Sequence, residues 1–138
     1  MKNSFKKKKL LLLSALIVSV SSIGQTSEEY LELGLLKIEK LDYKGAIADY
    51  TKAIEIDHNK GAAYINRGFA KYTLKDYQRA ITDYTKAKEI DSNFALAYRN
   101  RGLAKAYLED LVGACADWKK AAALGDTEAA QWLANGCN

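Results

Sequence analysis

The chain has no proline among its 138 residues, one histidine, one methionine and two cysteines. Without proline, no ring interrupts helical runs, and polyproline or collagen-like architectures are excluded. A single histidine, His58, offers no second imidazole for a metal and no positioned partner for general-base chemistry. Two cysteines without companion histidines do not make a zinc site, and they are too few for a disulfide-dense scaffold. The nine glycines are dispersed instead of clustered into a phosphate-binding loop. No catalytic residue, metal site or cofactor is therefore expected, and no segment alternates in the manner of a strand.

Charge is unevenly placed. The opening MKNSFKKKKLLLLSALIVSVSSIGQ carries five lysines (Lys2, Lys6, Lys7, Lys8 and Lys9), an apolar run from Leu10 to Val20, and small residues at Ser22 and Gly24. This is the pattern of a secretory signal peptide over residues 1–24. The alternative is an uncleaved anchor, although the apolar run falls short of the about 20 residues that span a bilayer. The expectation is an exported protein, periplasmic or extracellular, with no membrane insertion after cleavage. The formal net charge of +4 belongs to this segment: without its five lysines, 16 basic residues face 17 acidic ones, a net −1. That balance argues against nucleic acid as a partner, because phosphate binding needs an excess of Lys and Arg.

The remainder repeats itself. AIADYTKAIEID, Ala46 to Asp57, returns as AITDYTKAKEID, Ala80 to Asp91, 34 residues later. The same offset aligns Tyr30, Tyr64 and Tyr98; Gly34, Gly68 and Gly102; Ala46, Ala80 and Ala114; Tyr50, Tyr84 and Trp118; and Ala53, Ala87 and Ala121. Ala46, Ile47, Tyr50, Ala53 and Ile54 form one helical stripe. Asp42, Asp76 and Asp110 stand where a carboxylate accepts from the free N–H groups of a helix start. Each unit thus reads as two helices, at Glu28–Lys40 and Lys44–Ile56, Ala62–Leu74 and Gln78–Ile90, and Ala95–Leu108 and Leu111–Leu124. The units occupy about 27–60, 61–94 and 95–128 of one domain, 25–138. Trp132 and Gly136 continue the series, so a lone helix over about 127–136 is expected to close the last apolar face.

The period and the order of aromatic, Gly, Ala, aromatic and Ala resemble the tetratricopeptide repeat (TPR). The resemblance covers Ser27 to about Asn138, and it departs where the family usually has proline, at His58, Ser92 and Asp126. It implies an all-α, right-handed α-solenoid of three TPR helix hairpins plus a C-terminal capping helix. It also implies a protein or peptide partner, bound along the inner surface formed by the first helix of each unit. Carried over position by position, that surface holds Leu31, Ile65 and Arg99; Leu35, Phe69 and Leu103; Ile38, Tyr72 and Ala106; with Glu39, Thr73 and Tyr107 beside them and Glu32, Asn66 and Asn100 on the same side. The candidate groove is Leu35, Ile65, Asn66, Phe69, Tyr72, Arg99, Asn100, Leu103 and Tyr107. One TPR class clamps a C-terminal carboxylate with Lys and Arg; here Leu31, Leu35, Leu96 and Asn100 replace those residues and only Asn66 matches. An apolar or amphipathic segment is the expected ligand, unless the aromatics merely fill the inner face of a short solenoid. The alternative function is self-association into a homo-oligomer through the uncovered first unit, at Leu31, Leu33, Leu35 and Leu36.

Antiparallel neighbours bring together residues equally far from the turn between them. Asp49 and Arg67 each lie nine positions from His58, and Asp83 and Arg101 nine from Ser92. Ion pairs between successive units are expected there, against the alternative of solvated charges worth little. Cys115 and Cys137 each lie eleven positions from Asp126. In an oxidising compartment they are expected to bond; otherwise Cys115 is a small buried apolar residue and Cys137 a free thiol.

Overall fold

The computed structural model describes residues 24–137. The expected leader, apart from Gly24, lies outside the described residues. Seven helices and no strand occupy the described span: α1 Ser27–Glu39, α2 Tyr43–Ile56, α3 Gly61–Thr73, α4 Tyr77–Ile90, α5 Ala95–Tyr107, α6 Leu111–Ala123 and α7 Thr127–Gly136. The ends read from the sequence for α1 to α6 lie within one residue of these. The helices pair as three hairpins that stack in order, with α7 packed on α6.

Local chemistry explains the boundaries. Thr26 accepts from the Glu29 backbone while the Glu29 carboxylate accepts from the Thr26 N–H, a reciprocal cap on α1. Asp42, Asp76, Asp110 and Asp126 accept from the backbone N–H of Gly45, Arg79, Gly113 and Ala129 at 2.9, 3.4, 2.9 and 2.8 Å. Each hairpin reverses through a residue in the left-handed region, Leu41, Lys75 and Glu109 at φ 60°, 63° and 64°. None is glycine, so each turn costs about 1 kcal/mol of backbone strain.

The core is set by the aligned small and aromatic positions. Ala46, Ala53, Ala80, Ala87, Ala114 and Ala121 are wholly buried, and Tyr50 and Tyr84 are the largest fully buried side chains. Both tyrosines and Trp118 lie against a glycine on the facing helix. A methyl group on Gly68 would fall 2.7 Å from Tyr84 Cε1, and one on Gly102 would fall 2.5 Å from Trp118 Nε1. Gly34 meets Tyr50 in the same way. The helices of a hairpin can approach this closely only because the glycine carries no side chain there.

The ion pairs differ from the expected ones. Arg67 turns from Asp49 to Asp83, to which its Nε and Nη2 donate at 3.0 and 2.8 Å. Arg101 pairs with Asp117 at 2.8 and 2.6 Å instead of with Asp83. The relevant reversal is the tight turn within a unit: Arg67 and Asp83 are each eight positions from Lys75. Lys71 joins Asp83 at 2.8 Å, Lys105 joins Asp117 at 2.9 Å, and Lys37 meets Asp49 at 2.7 Å. The arginines still link units through their remaining nitrogen, since Arg67 Nη1 donates to Thr51 at 3.1 Å and Arg101 Nη1 to Thr85 at 3.0 Å. Cys115 and Cys137 are disulfide-bonded with their Cα atoms 5.7 Å apart, tying the end of α7 to α6.

Candidate functional site

The inner face is lined by α1, α3 and α5. Phe69 and Tyr72 from α3 face Asn100 and Leu103 from α5 across a recess of about 70 Å³, whose fifth wall is Tyr84 of α4. Four of the nine expected groove residues thus converge on one space. At the hairpin tips, Tyr72 lies edge-on to Tyr77 and Tyr107, with ring centroids 5.4 and 5.6 Å apart, while Tyr77 stacks on Tyr107 at 4.9 Å. Aromatic pairs in these geometries add specific attraction to the area they bury. Burial, reinforced by a hydrogen bond with Tyr107, pushes the Tyr72 hydroxyl up to about 12. Burial likewise raises Tyr84, partly offset by a hydrogen bond with Asn100.

Leu35, Phe69 and Tyr107 are exposed, while Asn66, Tyr72, Asn100 and Leu103 are half-buried. Two of the expected residues are otherwise engaged. Ile65 is 5% exposed and belongs to the core of the first two hairpins, because its side chain packs between helices and away from the open groove. Arg99 is committed to α7: its Nη1 lies 2.7 Å from Glu128 and 3.3 Å from Asp126, and its backbone carbonyl accepts from Trp118 Nε1 at 3.3 Å.

Tyr77 and Tyr84 are the residues that the groove positions alone omit. Equal distance from the turn does not pair Tyr77 with Tyr72, which lie two and three positions from Lys75, so the only signal in the sequence is that both aromatics sit close beside the same reversal. Tyr84 was legible as core, and it is core, but its hydroxyl edge also reaches the recess. The basic side chains beside the groove are not free to hold an anion, because Arg67 and Lys71 are bound to Asp83, and Arg101 and Lys105 to Asp117. Among the described residues, no group of three His, Cys, Asp or Glu is placed to hold a metal, and no helix is long and apolar enough to cross a membrane.

Two family models, both described as tetratricopeptide repeat, match residues 61–94 and 30–60. Among solved structures the chain is similar to the first TPR of Spaghetti (RPAP3) bound to the HSP90 peptide SRMEEVD, with 27% identity over 80% of this chain and 90% of that one and a TM-score of 0.77. It is 31% identical to the Arabidopsis OM64 TPR domain over 79% of this chain and 92% of that one, with a TM-score of 0.75. The TPR2B domain of yeast Sti1, in complex with pHsp70, is 27% identical over 78% of this chain and 92% of that one, with a TM-score of 0.75. A comparison with curated protein sequences finds no match.

Proposed function

Because the chain belongs to the tetratricopeptide repeat family, we propose that it is a non-catalytic interaction module whose inner groove binds a segment of a partner protein. The observation that carries this reading is the convergence of Phe69, Tyr72, Asn100 and Leu103 on one recess of about 70 Å³. Similar domains support it, since the Spaghetti domain is bound to an HSP90 peptide and the Sti1 domain to pHsp70. The ligand chemistry differs from an acid-ended peptide, because Leu31, Leu35, Leu96 and Asn100 stand at the clamp positions and the neighbouring Arg and Lys side chains are tied to Asp83 and Asp117. A recess of about 70 Å³ has room for several waters, whereas a cavity of about 150 Å³ is what accepts benzene. An aliphatic side chain is the fitting anchor.

Phe69→Ala with Tyr72→Ala tests the groove in pull-downs from the native source. Partner recovery should fall while the circular dichroism spectrum keeps its helical form; unchanged recovery refutes the assignment. Export through residues 1–24 is part of the same proposal, supported by a disulfide of the kind that persists outside the cytosol. The native protein should then begin at Gln25 by intact mass.

Self-association is the second reading, favoured by Leu35 and Leu36, which are 44% and 51% exposed on the first helix of the array. Sedimentation at several concentrations separates the two, and a concentration-dependent dimer lost in Leu36→Glu would favour it.

A further inference from the structure

α7 stands where a fourth unit would begin, and it is held at both ends. Asp126 and Glu128 at its start are gripped by Arg99, and Cys137 just beyond its last turn is bonded to Cys115. Held this way, it opens a second recess of about 290 Å³ lined by Leu103, Trp118, Trp132, Asn135 and Gly136. Leu103 is also a wall of the first recess, so the two are neighbours along one groove. Trp118 and Trp132, the chain's two tryptophans, meet edge to face at 5.5 Å. The second recess is larger and more open, suited to an aromatic side chain, which packs well against indole edges and faces.

Among the charged groove positions Glu32, Glu39 and Arg99, only the two glutamates are unpaired within the described residues. Arg99 is neutralised by its two carboxylates. Glu32 and Glu39 are exposed and enter no ion pair among the described residues. By the 34-residue register they occupy the places that Asn66 and Asn100, and Thr73 and Tyr107, hold in the later units. A partner complementary to this face carries positive charge.

We propose that α7 extends the groove with a second anchoring subsite, and that the ligand is an extended cationic segment. It places an aliphatic side chain between Phe69 and Leu103, an aromatic one against Trp118 and Trp132, and its positive charge toward Glu32 and Glu39. This rests on the groove reading above and adds the ligand's charge and its second anchor. The disulfide preorganises the subsite, so reduction to two thiols by an added phosphine takes away one of the two fastenings of α7.

The test uses the disulfide-bonded protein and two synthetic peptides, acetyl-KLKFKLK-amide and acetyl-ELEFELE-amide, followed by calorimetry and tryptophan fluorescence. The lysine peptide should bind saturably and shift the tryptophan emission, and the glutamate peptide should not bind. Asn135→Arg, on the exposed rim, and Trp132→Leu should each weaken the lysine peptide about tenfold, as should phosphine reduction, while circular dichroism stays helical. Absence of binding, or equal binding of the glutamate peptide, overturns the ligand class. Full affinity in Asn135→Arg, Trp132→Leu and the reduced protein overturns the second subsite, while a loss in Phe69→Ala leaves the groove standing. Affinity kept in Phe69→Ala but lost in Trp132→Leu refutes the groove reading and leaves the tryptophan recess as a site of its own.

Discussion

Arg101 and Asp117, sixteen residues apart in sequence, close a two-pronged ion pair at 2.8 and 2.6 Å inside the third hairpin. Asp117 is 4% exposed, so its charge is tolerable only because Arg101 and Lys105 both donate to it. Removing the guanidinium strands a buried carboxylate. Arg101→Ala should cost about 3 kcal/mol in urea unfolding. A double-mutant cycle should couple Arg67 to Asp83 strongly, whereas Asp83 and Arg101, which share no hydrogen bond or ion pair, should be additive to about 0.5 kcal/mol.

The first hairpin lacks this arginine, because Leu33 stands where Arg67 and Arg101 stand in the later units. Asp49 there has Lys37, whose Nζ lies 2.7 Å from its Oδ2, but it has no guanidinium of the kind that holds Asp83 and Asp117. Leu33→Arg should supply one. The expected gain is about 1 kcal/mol, read as a raised urea midpoint with an unchanged slope. A fall in the midpoint would mean that the leucine's packing outweighs the missing bond.

Gly68→Ala forces a methyl group to within 2.7 Å of the buried Tyr84 ring. Tyr84 is only 1% exposed, so its ring has little room to give and the hairpin must splay. A loss of about 2 kcal/mol is expected. A pairing of Gly68→Ala with Tyr84→Leu should recover part of it, because the smaller side chain admits the methyl.

The Tyr50 hydroxyl is buried without a hydrogen-bond partner among the described residues. Tyr50→Phe removes an unsatisfied polar group without changing the ring, and it should stabilise the fold by about 1 kcal/mol. Thermal unfolding of the two proteins side by side checks the sign.

Tyrosine burial also sets an alkaline limit. Burial raises both Tyr50 and Tyr72 from the ordinary value of 10.0 to about 12. Their phenols therefore ionise in the unfolded chain first. The stability they contribute is intact below pH 10 and is lost as the pH rises from 10 toward 12. Melting temperatures at pH 8, 10 and 11 should fall between the last two, and less steeply in the Tyr50→Phe, Tyr72→Phe double variant.

Much of this fold is legible in the sequence. The caps at Asp42, Asp76 and Asp110 and the helix ends follow from residue types at a fixed interval, which depend on local backbone chemistry. The ion pairs were less legible. Equal distance from a turn identifies candidates around every turn, and both the turn at His58 and the one at Lys75 supply an Asp for Arg67. The recurrence of Lys37, Lys71 and Lys105 opposite Asp49, Asp83 and Asp117 was the signal that favours the turn within the unit.

The sequence by itself determined the repeat, its helices, its tyrosine and alanine core and the meeting of Cys115 with Cys137, because each depends on spacing along a regular helix. Only the tertiary structure decided which groove positions stay open. Ile65 and Leu103 both fall on the inner stripe, yet Ile65 is buried among the first two hairpins while Leu103 lines both recesses. Arg99 likewise reads as a groove cation and is instead held by Asp126 and Glu128. The reason is geometric. A helical period says which way a side chain points, but the angle at which the next helix packs decides whether it meets solvent, a neighbour or a partner.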